Sequence, residues 1–197
     1  MKARRLSVAG ALEFETPSFG DDRGGFATPL DTEVLAAELG HPLFPVAQGA
    51  MSRSRQGVFR GVHYTMPPPG RAKYVWCAHG RCLDIVWDVR VGSPTFGAHE
   101  VLELDGSAER GLYLPIGVAH AFLALEDDTV MTYLLSGGYL PERERALDPR
   151  DPALGLDLPA ALVLSERDTA APTLAAALER DLLPRYADCL ALENALT

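Results

Sequence analysis

The sequence predicts a mainly β fold: a sandwich or barrel of short strands with short helices at its periphery. Three observations carry this. Leu83, Ile85, Trp87 and Val89 alternate with Asp84, Val86, Asp88 and Arg90, the period-two pattern of a strand. Short β-rich runs recur between turn signals at intervals of about 8–12 residues, as in sandwiches and barrels. The 15 Pro and 18 Gly are scattered as punctuation instead of gathering into a linker. No internal repeat or low-complexity segment breaks the chain, so one domain is expected over 1–197, with a helical tail over about 173–197.

Each element follows from local chemistry. Lys2, Arg4 and Arg5 precede a short apolar stretch, the outline of a secretion signal, but Ser7 interrupts it, Glu13 follows at once and no small-residue cleavage site is evident. Residues 1–12 therefore read as a first strand. Asp31 to Leu39 reads as a helix, with a capping residue, an acidic first turn and Gly40 beyond its end. Val58 to Tyr64 and Lys73 to Ala78 read as strands flanking Pro67-Pro68-Pro69-Gly70. The alternating run at 83–90 ends at Gly92-Ser93-Pro94. Val101 with Glu103, and Gly111 to Leu114, continue in the same style, with Asp105-Gly106 between them as a hairpin signal. A turn at 115–118 leads into a strand bearing His120, and Thr129 to Leu135 is a further strand ended by Gly137-Gly138. Leu174, Leu178 and Leu182 mark a helix over Thr173 to Leu183 ended by Pro184, and Tyr186 to Ala195 reads as a last short helix.

Composition excludes several classes. Eighteen Lys+Arg against 27 Asp+Glu give a net charge of −9, which argues against nucleic-acid binding, where clustered cations neutralise phosphates. A hydrophobic fraction of 47% supports a real core and excludes a disordered chain. No apolar run reaches the roughly 18 residues a membrane span needs. Cys77, Cys82 and Cys189 form neither a disulfide framework nor a Cys-x-x-Cys pair, which fits reduced thiols and a cytoplasmic location.

Five histidines occur, at 41, 63, 79, 99 and 120. His41, His79 and His99 sit beside Gly, Pro or turn sequences and read as ordinary loop residues. His63 lies within a strand, where alternation puts it on one face with Gly61 and puts Arg60, Val62 and Tyr64 on the other, unless twist or neighbouring loops return Arg60 to the same pocket. Pro115-Ile116-Gly117-Val118-Ala119-His120 has the Pro-x-Gly-x-x-His spacing typical of cupin jelly rolls, in which the His points inward. A metal is not expected: Thr65 stands where metal-binding cupins place a second His after His63, and no cluster of three ligands is apparent. Gly20 to Gly25 fits no phosphate-loop spacing. What remains is a metal-free acid–base set of His63, Tyr133, Lys73, Arg60, Arg23 and Asp168. Each also has an ordinary reading as a solvated, core or capping residue, and spacing alone does not bring them together.

An ordered series of motifs does. It runs Asp22-Arg23-Gly24-Gly25-Phe26, Gln48, Gly57 to Tyr64, Ala72-Lys73-Tyr74-Val75, Asp84 to Gly97, Tyr113-Leu114-Pro115 through His120, Tyr133, Tyr139 with Pro141 to Glu144, Asp151-Pro152, and Leu164 to Asp168. In this series the chain resembles the dTDP-4-dehydrorhamnose 3,5-epimerases, sugar-nucleotide epimerases of the cupin superfamily. The resemblance implies a cupin jelly roll and a cofactor-independent epimerase that inverts C3, C5 or both of a dTDP-4-keto-6-deoxyhexose in deoxysugar biosynthesis, including antibiotic pathways. It implies His63 as general base, Asp168 as its partner with Asp84 ranked second, Tyr133 as the acid on the opposite face, and Lys73 as support for the enolate oxygen. It further implies that Arg23, Arg60 and His120 hold phosphates or sugar, that Gln48 and Glu144 add nucleotide contacts, and that Tyr139 stacks on thymine. A homodimer is implied too, with the N-terminal strand crossing to the partner and Arg23 reaching the partner's site.

The chemistry is coherent. A hydrogen α to a ketone is acidic because its removal gives an enolate, and inversion needs a base on one face, a proton donor on the other and positive charge at the oxygen. Two positions depart from the family: Thr28 stands where Glu is usual and Ala50 where Asn is usual. Both remove a polar contact and leave substrate and regiochemistry open. The alternatives are a 3,4-ketoisomerase of the same nucleotide sugars and a non-catalytic nucleotide-sugar-binding cupin.

Overall fold

The structure, a computed structural model, describes residues 1–196; Thr197, the end of the expected tail, lies outside the described residues. In chain order the elements are β1 (Lys2–Arg5), β2 (Leu12–Glu15), β3 (Ser18–Asp21), β4 (Gly24–Ala27), α1 (Thr32–Leu39), β5 (Gln48–Ser54), β6 (Phe59–Thr65), β7 (Lys73–His79) and β8 (Arg81–Trp87). They continue with β9 (His99–Asp105), β10 (Arg110–Leu114), β11 (Ala119–Ala124), β12 (Thr129–Leu135), β13 (Glu144–Ala146), α2 (Glu166–Thr169), α3 (Leu174–Glu179) and α4 (Tyr186–Ala195).

Two antiparallel sheets face each other, as expected of a cupin jelly roll. One has the order β1-β2-β10-β7-β12-β5, the other β13-β6-β11-β8-β9; β3 and β4 pair only with each other. Between the sheets lies a core in which Val75, Cys77, Leu112 and Met131 of the first sheet meet Cys82, Val86, Leu104 and Phe122 of the second. Both outer faces are covered as well. Ile85, Trp87, Ala121 and Leu123 pack under the C-terminal segments through Leu147, Leu154, Ala177 and Leu183. Leu12, Phe14, Tyr74 and Tyr113 pack under Leu35 of α1, Phe44 and Cys189 of α4. The helices are therefore peripheral covers, held by their apolar faces.

The alternation in β8 thus has a direction that the sequence does not state. The apolar row Ile85–Trp87 faces outward onto the C-terminal layer, and the row of Cys82, Asp84 and Val86 faces the sandwich interior. A buried Asp on an interior row marks a polar site, because an isolated buried carboxylate is costly.

Other expectations change. Residues 1–12 do not form one strand: β1 pairs with β2, Lys2 opposite Glu15 and Arg5 opposite Leu12, and Leu6 to Ala11 make the connecting turn. Leu6, Val8 and Ala11 are buried there in the chain's own core, and the amide of Leu6 donates to the Ala11 carbonyl at 3.0 Å. Asp105-Gly106 is not a hairpin turn, since β9 pairs with β8 and β10 pairs with β2 and β7; the chain changes sheet there. The helix expected to run to Leu183 ends early. Asp181 takes a left-handed φ of 51°, and the amides of Asp181 and Leu182 donate to the Leu178 and Ala177 carbonyls, a Schellman stop ahead of Pro184. α1 starts as expected, with Asp31 accepting from the amides of Glu33 and Val34 and Gly40 left-handed at its end. The strands β3, β4, β5 and β13 carry too few alternating apolar residues to be seen in the sequence.

Candidate active site

A cavity of about 260 Å³ opens between the two sheets. The β6–β11–β8 side supplies Arg60, His63, His120 and Phe122, and the β5–β12–β7 side supplies Ala50, Tyr133, Leu135 and Lys73. A second hollow of about 260 Å³ adjoins it, sharing Arg60, His63 and Arg167 and continuing to Ser165 and Asp168. A larger hollow of about 550 Å³ lies along β1 and β2, but its Glu13 is already paired with Arg4 and Arg110, and no acid–base set lines it.

His63 and Arg60 share the cavity because β6 is bulged. His120 registers with His63, yet Phe122 registers with Arg60, so three residues of β6 span two of β11. The extra residue breaks simple alternation, and Arg60 joins the face of His63 instead of the opposite one. Gly61 makes this possible. Its φ is +145°, and a β-carbon there would stand 2.1 Å from the Ala121 β-carbon.

His63 is a half-buried imidazole whose Nε2–H donates to Asp168 Oδ1 at 2.6 Å, across 105 residues of sequence. This bond fixes the tautomer and leaves Nδ1 as the acceptor. Asp168 sits in the short helix α2, capped by Ser165, whose hydroxyl accepts from the Asp168 amide at 3.1 Å. Burial opposes ionisation of Asp168, but the hydrogen bond and charge of His63 outweigh it and hold the carboxyl below its ordinary range. Asp84 is not a partner of His63. It accepts from His120 Nε2 at 2.7 Å, and its other oxygen, Oδ1, is buried without a partner among the described residues.

Across the cavity, burial and then the Asp84 charge push the Tyr133 hydroxyl above its ordinary value, so Tyr133 stays protonated. Lys73 is buried, and burial with the neighbouring Arg71 charge lowers its amine to about 8. Its Nζ stands 3.5 Å from the His63 carbonyl oxygen. Ala50 registers with Tyr133, so the position expected to carry a polar side chain presents a methyl group to the cavity.

The remaining expected contacts divide. Arg60 donates to Ser54 Oγ at 3.1 Å and to the Arg53 carbonyl at 3.3 Å, and among the described residues it has no carboxylate partner. Tyr139, 56% exposed, stands at the rim. Glu144 lines the cavity but is already engaged by Arg71 at 2.7 Å and by Thr65. Gln48 lies at the start of β5 opposite Leu135, outside the cavity lining, with its amide oxygen buried and without a partner among the described residues. Arg23 is not brought to the cavity of its own chain: it caps the β3–β4 hairpin in an ion pair with Asp21. Thr28 follows that hairpin, outside the cavity lining.

Sequence reasoning missed Arg167 and Arg71. Arg167 directly precedes Asp168 and Arg71 stands two residues before Lys73, and that proximity was the available signal. Arg60, Arg71, Lys73 and Arg167 make the cavity cationic in a chain of net charge −9, which suits an anionic ligand such as a diphosphate. Among the described residues no group of three His, Cys, Asp or Glu side chains is arranged to hold a metal.

Comparison with known proteins shows what the whole chain is similar to. The profile of the dTDP-4-dehydrorhamnose 3,5-epimerase family matches residues 5–176. A dTDP-4-dehydrorhamnose 3,5-epimerase of Streptomyces griseus is 47% identical over 195 residues, covering 98% of this chain and 96% of that protein. A dTDP-4-dehydro-6-deoxyglucose 3-epimerase of a Streptomyces species is 45% identical over 183 residues, covering 92% and 93%. The crystal structure of ChmJ, a 3'-monoepimerase from Streptomyces bikiniensis in complex with dTDP-quinovose, superposes with a TM-score of 0.91 at 43% identity, covering 97% of each chain.

Proposed function

The chain belongs to the dTDP-4-dehydrorhamnose 3,5-epimerase family, whose members are isomerases, and on that premise we propose that it inverts C3, or C3 and C5, of a dTDP-4-keto-6-deoxyhexose in deoxysugar biosynthesis. The observation that carries this reading is the placing of a carboxylate-backed His63 and a protonated Tyr133 on opposite walls of one cavity. His63 Nδ1 takes the hydrogen α to the ketone. The enolate oxygen that forms is met by the charged amine of Lys73. Tyr133 then donates its proton to the opposite face, which inverts the carbon. Arg60 and Arg167 supply charge for the diphosphate, and the cavity-lining His120, Tyr139 and Glu144 are assigned to the sugar and nucleotide. Side chains supply every proton and charge this sequence of steps needs, so neither a redox cofactor nor a metal enters it.

The β3–β4 hairpin supports a homodimer. It projects with Phe19 66% and Phe26 69% exposed and Arg23 at its tip, a surface suited to a second copy. Insertion there would carry Arg23 toward the partner's cavity. The three cysteines are free and buried, which supports a cytoplasmic setting; among the described residues no helix is long and apolar enough to cross a membrane.

Incubation of the enzyme with dTDP-4-dehydro-6-deoxyglucose in D2O, followed by NMR, tests the reading. Deuterium at C3, or at C3 and C5, with inverted configuration is expected. Migration of the ketone to C3 would identify a ketoisomerase, and binding without exchange a non-catalytic receptor.

A further inference from the structure

Inversion leaves the enzyme in a different state from the one it began in. His63 has gained a proton and Tyr133 has lost one. His63 sheds its proton from a half-exposed ring, but Tyr133 is buried, and a tyrosinate there is disfavoured by burial and by the facing Asp84 carboxylate. A second centre or a second turnover requires Tyr133 to be reprotonated.

The cavity holds a second His–carboxylate pair suited to this. β11 places His120 in register with His63, and β8 places Asp84 behind it. The Nε2–Oδ2 distance is 2.7 Å, with the His side chain 5% and the Asp side chain 0% exposed. The His120 ring meets the Tyr133 ring edge-on, with centroids 6.1 Å apart and an interplanar angle of 73°. Asp84 Oδ1 is buried and accepts no hydrogen bond among the described residues. His120 is the ring that Asp84 touches, through its other oxygen. The other groups whose charge Asp84 influences are Lys73 from β7 and Tyr133 from β12, with the buried thiols Cys77 and Cys82 of the core; His63 adjoins His120 on β6.

We propose that His120, paired with Asp84, relays a proton to Tyr133 after each inversion, and that Asp84 is the positioning residue that orients the His120 ring. This rests on the epimerase reading above. The protons balance: the substrate gives one to His63 and receives one from Tyr133, His120 restores Tyr133, and solvent takes a proton from His63 and supplies one to His120. Asp84 engages Nε2, which leaves Nδ1 to deliver the proton, directly or through one water.

The test separates chemistry from reset. With enzyme in excess over dTDP-4-dehydro-6-deoxyglucose, Asp84→Asn is expected to slow the first inversion only modestly, while steady-state turnover falls about tenfold or more beyond that, within the range of a lost acid–base step. Added imidazole, a small diffusible proton donor, should restore steady-state turnover in a concentration-dependent way. Equal loss in both phases without rescue, or native turnover in the variant, overturns the inference alone. Failure of the native enzyme to exchange or invert the sugar overturns the function and this inference together.

Discussion

His63 and Tyr133 stand on opposite sheets and line the same cavity, His63 from β6 and Tyr133 from β12. In the proposed mechanism abstraction and reprotonation are therefore separable. His63→Ala should abolish exchange of the α-hydrogen in D2O together with turnover, a loss of about 10²–10⁴-fold. Tyr133→Phe keeps the ring and removes only the hydroxyl, so it should still exchange the α-hydrogen while inversion falls much further. Equal loss of exchange and inversion in Tyr133→Phe would show that Tyr133 assists abstraction and is not a dedicated acid.

Lys73 links activity and stability through one amine. Activity should decline as pH rises through about 8, where Lys73 loses its charge. Folding stability should respond in the opposite sense. Because the folded value lies below the 10.5 of a free amine, the unfolded chain binds the proton more tightly between the two, and stability rises with pH across that window. Below pH 8 the buried charge costs up to about 3 kcal/mol. Lys73→Met should therefore be nearly inactive yet more resistant to urea at pH 7, and that gain should shrink toward pH 10.5. A variant less stable at pH 7 would contradict the burial argument.

Asp168 behaves as an acid with a lowered folded value, so its contribution is present above the unfolded value of about 4 and is lost as pH falls through the folded one. Asp168→Asn should lower kcat while weakening the acid sensitivity of the fold below about pH 4. Urea midpoints of the two proteins at pH 7 and pH 3 check this: the gap between them should narrow at the lower pH.

Gly61→Ala puts a β-carbon 2.1 Å from that of Ala121 at a φ of +145°. Backbone strain and overpacking together should cost about 2–4 kcal/mol. The surviving folded fraction should bind dTDP more weakly, because the bulge that turns Arg60 into the cavity is lost. Calorimetric titration with dTDP reads this directly, and native affinity with native stability would rule out the role assigned to the bulge.

The projecting hairpin should matter for assembly. Light scattering is expected to give about twice 21.2 kDa at micromolar concentration, and Phe19→Ser with Phe26→Ser should shift the protein to monomer and reduce activity. A fully active monomer of native sequence would exclude a partner's contribution to the site.

Much of this protein is written locally. The strands at 129–135 and the helix at 186–195 follow from β-rich composition and from flanking Gly or Pro, and α1 follows from Asp31 and Gly40 at its ends. The pairing of His63 with Asp168 was carried by the ordered motifs, not by spacing: 105 residues separate the two, and no period relates them. The polar edge strand β5, the hairpin β3–β4 and the turn at Leu6 to Ala11 that separates β1 from β2 were not legible, because these stretches carry no alternating apolar pattern and their roles are set by pairing.

The sequence by itself determined the β architecture, the residues capable of acid–base chemistry and the family they mark. Local periodicity and residue type suffice for that. The tertiary structure decided which row of β8 faces the interior, that Asp84 serves His120 and not His63, and that Arg60 shares the cavity. Those outcomes depend on strand register. Register is set by a bulge at Gly61 and by the packing of two sheets against each other, and neither is a property of any short stretch of chain.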